Sequence, residues 1–213
     1  FNYIEAEDNH QLRVGALALD MNVAQKAAQL GIGGLSFLSG IPGTIGGALK
    51  MNAGAYGREV VDCLVSLKGI DRSGALHVLS VEDMHYSYRH SAPAQDLIFV
   101  EALFQGQAAS SDVVKAEIAD IRIKRENSQP IKEKTGGSTF ANPSAAELAA
   151  LNLDPSMGAW KLVDGVGGRS FCVGGAQMSE KHCNFMINHD NASAFDLECL
   201  GEEMRRRVFE QFG

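Results

Sequence analysis

The sequence predicts a mixed α and β fold in two units, and three observations carry that reading. Residues 60 to 70, "VVDCLVSLKGI", and 97 to 104, "LIFVEALF", are β-branched or aromatic runs bounded by Gly, Asp and Ser, as buried strands are. Segments such as "DMNVAQKAAQLG" and "SSDVVKAEIADIRIKRENSQP" repeat their apolar residues at helical spacing. The composition shifts between Gly106 and Ser111, which divides the chain into residues 1–106 and 107–213. A length of 213 residues accommodates two modest domains.

The elements follow in order. "FNYIEAEDNHQLRVGALALD" alternates apolar and polar positions and runs into Leu12, Val14 and Leu17, the pattern of a strand. Asp20 then reads as the N-cap of a helix, with Val23, Ala24, Ala27 and Leu30 on one face and Gly31 as the stop. Residues 31 to 57 are dense in glycine and hold one charged residue, Lys50. Linkers are polar, whereas this stretch mixes glycine with Ile32, Leu35, Phe37, Leu38, Ile41 and Ile45. Between the two strand runs, "YSYRHSAP" is a polar loop.

A helix capped by Ser111 or Asp112 follows, with Val114, Ile118 and Ile121 inward, ending before Pro130. The second half reads as a short helix around "AWKLVDGVG", strands at "SFCVGGAQM" and "CNFMINH", and a last helix from Ser193. There Ser193 and Asp196 form a capping box, and Leu197, Leu200, Met204 and Val208 make the inward stripe.

Bulk properties narrow the function. A net charge of -7 disfavours non-specific binding to nucleic acid. No apolar run approaches the roughly 20 residues that cross a bilayer, and the first residues carry no signal core, so a cytoplasmic protein without membrane insertion is expected. Cys63, Cys172, Cys183 and Cys199 make no C-x-x-C pair and read as buried thiols. Cys183 follows His182, but neighbours on a strand point to opposite faces, which argues against a thiolate and base pair. The histidines show no metal-ligand spacing, so no metal is expected.

Several stretches carry chemistry. The glycines of 40 to 57 let backbone approach a ligand, but no G-x-G-x-x-G or Walker pattern is present, and close packing explains them equally well. Arg89, among Tyr86, Tyr88, His90 and Ser91, fits a surface arginine or the wall of a polar site, where a guanidinium offers a fixed fork to a carboxylate. Ser138 in "GGSTF" fits a tight turn or a hydroxyl presented on open backbone, with Asn142 four residues on. Arg122, Lys124 and Arg125 fit a solvated helix face or a diphosphate contact.

Taken together, "SGIPGTIGGALKMNAGAYG", "YSYRHS", "KTGGSTFANP" and "GGAQMSEKHCNFMIN", in that order, resemble the UDP-N-acetylenolpyruvoylglucosamine reductases, flavoenzymes of bacterial cell-wall synthesis. "YRHS" without a tyrosine insertion loop resembles the shorter subtype. The resemblance implies an α+β fold: the second half of a vanillyl-alcohol-oxidase/PCMH-type FAD-binding domain, then an α+β substrate-binding domain. It implies FAD and NADPH as cofactors and UDP-N-acetylglucosamine enolpyruvate as substrate.

By the same resemblance Gly40, Ile41, Pro42, Gly43, Gly46, Gly47, Asn52, Ala53 and Gly54 lie along the flavin. Arg89 is the cation that stabilises the carbanion, and Ser138 is the proton donor. Tyr88, Arg125, Asn142 and His182 bind substrate. Family members carry roughly a hundred further residues ahead of the point where this chain starts, a size typical of a domain, and a strand bearing a catalytic glutamate beyond its end. A truncated chain is therefore expected. Two other readings compete: another FAD-dependent oxidoreductase with the same cofactor domain, and a catalytically silent fragment that binds a UDP-sugar. Oligomeric state is left open.

Overall fold

The computed structural model describes residues 1–94 and 96–213 and divides into two compact units, Phe1–Lys124 and Arg125–Gly213. In the first unit β1 (Ile4–Glu7) and β2 (Gln11–Gly15) form a hairpin. Helix α1 (Asp20–Gln29) follows, then the two-residue strand β3 (Ile32–Gly33), a 3-10 turn (Ser36–Gly40) and the short helix α2 (Ile45–Lys50). A tight hairpin of β4 (Gly54–Ala55) and β5 (Arg58–Glu59) leads into β6 (Leu64–Ile70) and β7 (Leu76–Ser80). β8 (Ile98–Gln105) and β9 (Gln107–Ala108) follow, and α3 (Ser111–Ser128) begins in this unit and ends in the second.

The antiparallel sheet runs β1-β2-β8-β6-β7. Its inward positions, Leu12 and Val14 on β2, Leu67 on β6, and Ala102 and Phe104 on β8, pack with Val23, Ala24 and Ala27 of α1. Alternate residues of a strand and every third or fourth residue of a helix share a face, so these two periods meet in one core. Each large side chain so buried contributes roughly 1.5–3 kcal/mol.

The second unit holds a four-stranded antiparallel sheet in the order β10-β13-β12-β11: β10 (Thr135–Ser138), β11 (Cys172–Val173), β12 (Ala176–Met178) and β13 (Phe185–Asn188). Helices α4 (Ala145–Ala150), α5 (Ala159–Gly165) and α6 (Ala194–Phe212) accompany it. Val163, Ala176, Met178, Cys183, Leu200 and Met204 form its core, with Leu197 and Val208 packed alongside as the α6 stripe predicts. Ser193 accepts from Asp196 N–H while Asp196 accepts from Ser193 N–H, the expected capping box.

Several expectations are corrected. Asp20 is not a cap: Leu19 occupies that position, and Asp20 is the first helical residue, fully buried. The N-terminal run is a hairpin rather than one strand, because Asn9 and His10 take left-handed backbone and turn the chain. Strand β7 and helix α4 were missed, α4 although Ser144 and Glu147 form a capping box that is plain in the sequence. Cys172 is exposed, unlike the buried Cys63 and Cys183. Cys183 and His182 lie in a turn, not on a strand. Ser138 ends a paired strand rather than riding a loop.

Candidate active site

The first unit sets the glycine-rich stretch against the end of β2. Ile45 N–H donates to Ala18 O at 3.0 Å, Gly46 N–H to Ala16 O at 2.8 Å and Asp20 N–H to Gly43 O at 3.2 Å, so residues 43 to 46 are laced to residues 16 to 20. The choice between packing and cradling resolves glycine by glycine. A Cβ on Gly46 would sit 3.2 Å from Ala16 O, and one on Gly40 would sit 2.8 Å from the Tyr56 ring, so packing explains these two. A Cβ on Gly47 would meet nothing within 4 Å among the described residues. Pro42, Gly43 and Gly47 are exposed and Ile41 is half-buried, leaving a bare backbone edge against which a flat ring can lie.

Beneath that edge the Asp20 carboxylate has no hydrogen-bond partner for either oxygen among the described residues. Burial pushes it up to about 7. It lies beside Gly43, whose φ of +144° suits glycine. An open glycine edge over an orphaned buried acid fits a polar, planar cofactor such as a flavin.

Asn52 is buried at a φ of +40° and its side chain is used internally. Oδ1 accepts from Val61 N–H at 3.1 Å; Nδ2 donates to Glu59 Oε2 at 2.8 Å and to Ser87 O at 3.2 Å. Ala53 is tied by its N–H to Ala48 O at 2.9 Å, and Gly54 pairs with Glu59 across the β4–β5 hairpin.

Arg89 sits on the turn bridged by Ser87 and His90, at a φ of +54°. Its Nη2 donates to Gly54 O at 2.9 Å and its Nη1 to Glu59 Oε1 at 3.1 Å and Asn52 O at 3.4 Å. The guanidinium stacks on the Tyr88 ring, 4.7 Å from its centroid. Ser91 pins the loop by donating to Lys50 O at 2.7 Å. Arg89 therefore belongs to the same cluster as Asn52 and Gly54. Glu59, which joins Arg89 to Asn52, was missed. Its signal was its place at the end of "MNAGAYGRE", two residues after the last quoted glycine.

In the second unit Ser138 lines a cleft of about 350 Å³ with Thr135, Gly136, Gly137, Met186 and Asn188. Gly136 and Gly137 leave it open, since a Cβ on either meets nothing within 4 Å, and Gly137 has a φ of +97°. The register with β13 shifts between Thr135 and Ser138, a bulge of the kind that re-aims side chains. Asn184 fastens the following residues, accepting from Thr139 N–H through its backbone oxygen at 2.7 Å. Its side chain accepts from Phe140 N–H at 2.9 Å and donates to Phe140 O at 2.9 Å. Asn184 too was missed.

His182 Nδ1 accepts from Asn184 N–H at 3.2 Å, and its ring meets Phe185 edge-on at 4.8 Å. Partial burial lowers its pKa, which favours neutral imidazole. Asn142 Oδ1 accepts from Ala159 N–H at 3.0 Å and so caps α5. Arg125 Nε donates to Gln129 Oε1 at 3.3 Å. The Cys183 thiol donates to Asp164, and burial first, then that partner, push it up to about 11, so it stays protonated. Among the described residues no group of three His, Cys, Asp or Glu is arranged to hold a metal, and no helix is long and apolar enough to cross a membrane.

Residues 1–80 match the family model of the FAD binding domain, which defines the class of the first unit as part of a flavin-binding domain. Residues 129–213 match the model of the UDP-N-acetylenolpyruvoylglucosamine reductase C-terminal domain. The UDP-N-acetylenolpyruvoylglucosamine reductase of Maricaulis maris (strain MCS10) is 49% identical over 99% of this chain and 65% of its own length. That of Rhodopseudomonas palustris (strain BisB5) is 50% identical over 97% of this chain and 63% of its own. The crystal structure of the Thermus caldophilus reductase superposes with a TM-score of 0.77 at 33% identity, covering 93% of this chain and 68% of that one. The chain belongs to the UDP-N-acetylenolpyruvoylglucosamine reductase family, and it spans a little under two thirds of the curated relatives it matches.

Proposed function

We propose that the chain forms the larger part of an NADPH- and FAD-dependent UDP-N-acetylmuramate dehydrogenase, which reduces UDP-N-acetylglucosamine enolpyruvate in cytoplasmic peptidoglycan synthesis. The carrying observation is the Arg89 cluster, a guanidinium fixed in the same compact unit as the open glycine edge. We set the boundary of the FAD-binding part at residue 106. Gly40, Ile41, Pro42, Gly43, Gly46, Gly47, Asn52, Ala53 and Gly54 form its flavin edge, with Gly40, Gly46 and Asn52 shaping it from behind.

FAD, held along that glycine edge, would supply the redox chemistry that links NADPH to the enolpyruvyl methylene carbon. The residues of the chain do the rest. Arg89 takes the substrate carboxylate and stabilises the negative charge that spreads into it from the α-carbon; a preorganised cation does this better than water, which must first reorient. Tyr88 holds the guanidinium plane by stacking. Ser138 gives its hydroxyl proton to the α-carbon. A hydroxyl is a weak acid, but an enolate is a strong base, so the transfer runs downhill at a serine placed at the end of β10, just before the residues that Asn184 fastens. Arg125, Asn142 and His182 bind the UDP-sugar portion.

The test is Ser138→Ala in the protein at its native length. Bleaching of the flavin by NADPH should be unchanged, while muramate formation falls by about 10²–10⁴-fold. Normal turnover in that variant would remove Ser138 as the donor.

A further inference from the structure

We propose that Glu59 is the positioning residue of Arg89, holding the guanidinium in the one orientation that presents two N–H groups to a substrate carboxylate. This rests on Arg89 being the carboxylate clamp.

The geometry is a relay from a fixed point to a mobile one. Asn52 is the fixed point: it is 1% exposed, its backbone is left-handed, and its oxygen is held by Val61 N–H. Glu59 spends one carboxylate oxygen on Asn52 Nδ2 at 2.8 Å and the other on Arg89 Nη1 at 3.1 Å. A carboxylate bound at both oxygens cannot swing, so the Arg89 fork inherits the rigidity of Asn52. The carboxylate also faces Asp62 N–H in the capping box of the 3-10 turn Val60–Asp62, but the β4–β5 ladder itself closes without it. It is closed by the Gly54–Glu59 and Ala55–Arg58 pairs and by Val60 N–H on Ala53 O, and the Glu59 N–H is taken by Asp62 Oδ2.

Arg89 needs such a partner. A guanidinium has five N–H donors on a long, rotamer-rich side chain. Glu59 Oε1, Asn52 O and Gly54 O take three of them. Nε–H and one Nη2 hydrogen carry no hydrogen bond among the described residues, and they are what a carboxylate can grip. The Arg89 side chain is 35% exposed and that of Glu59 32%, so the pair is reachable from one side. Glu59 also offsets part of the arginine charge, and removing it would strengthen the bare field. The proposal commits to orientation outweighing that gain, since a misplacement near 1 Å can cost about 10²-fold.

The experiment uses the native-length, flavin-loaded protein and measures the two half-reactions separately in Glu59→Gln, Glu59→Asp, Arg89→Ala and the Glu59→Gln/Arg89→Ala double variant. Glu59→Gln should retain its flavin and be bleached by NADPH within about twofold of the parent. Its reoxidation by the enolpyruvyl substrate should slow by about 10–100-fold. Product affinity, read from the shift of the flavin absorption band, should weaken as well. Glu59→Asp should recover part of both losses, and in the Arg89→Ala background Glu59→Gln should cost nothing further. Lost flavin or slowed bleaching would make Glu59 merely structural and overturn the proposal; so would a further loss on adding Glu59→Gln to Arg89→Ala as large as the one it causes alone. Parent-like reoxidation in Glu59→Gln with a slow Arg89→Ala would overturn the proposal and leave the clamp standing. Parent-like reoxidation in Arg89→Ala would remove the clamp, and the proposal with it.

Discussion

Asp20 shows how one residue type can be read correctly as important and wrongly as to role. An acid before a helical pattern is the ordinary sign of an N-cap, yet here it is drawn into the core one position later, with no partner for its oxygens among the described residues. Burial raises its carboxyl to about 7, against roughly 3.9 in an unfolded chain. The folded form thus keeps a proton that the unfolded form releases, and stability falls as pH rises between about 4 and about 7. Asp20→Asn should stabilise by about 1–3 kcal/mol above pH 7 and by almost nothing below pH 4. Thermal melts across that range check it, and an equal gain at both ends would contradict the cause given. Two adjacent glycines make a second contrast. Gly47→Ala has open space and a helical backbone, so it should raise stability by about 0.5–1 kcal/mol while weakening flavin retention. Gly46→Ala presses on Ala16 O and should gain less or lose. Melting temperature and flavin content, measured on both variants, separate packing from cradling.

Among the elements, those that obey a simple period were legible. Helices α1, α3, α5 and α6 bury a stripe of apolar residues at helical spacing, with Val113 and Ile123 of α3 and Phe195 and Phe209 of α6 exposed outside it, and β6, β8, β12 and β13 are apolar runs, because burying one face forces that spacing on the sequence. β7 was not legible: it lies at a sheet edge with Leu76 and Val78 exposed, and one core residue, Leu79, is too little to set a pattern. β10 hid behind its two glycines, and its pairing with β13 comes from a partner some fifty residues away. Asn184 belongs to this scale, since its side chain bonds both the N–H and the O of Phe140 and so sets the end of β10. Asn184→Ala should cost about 1–3 kcal/mol and slow Ser138-dependent product formation, with unfolding and single-turnover rates as the measurements. Full single-turnover activity in a destabilised variant would free Ser138 from this support.

For the molecule as a whole, the proposed chemistry divides between the units: flavin edge and carboxylate clamp in the first, proton donor in the second. Flavin content should therefore respond to Gly47→Ala and be indifferent to Ser138→Ala and His182→Ala. Flavin loss in either of the latter two, measured by absorbance per polypeptide, would contradict that division.

Composition, periodicity and motif order determined the two-unit α+β plan, most helices and the family, because burial and backbone chemistry write themselves into local spacing. Tertiary structure alone decided that Asp20 is an orphaned core acid, that Gly40 and Gly46 serve packing while Gly47 lies open, and that Glu59 joins Asn52 to Arg89. Those outcomes depend on groups up to 37 positions apart, as from Asn52 to Arg89, meeting within hydrogen-bond distance. No local pattern encodes such a meeting, because the folded path of the chain creates it.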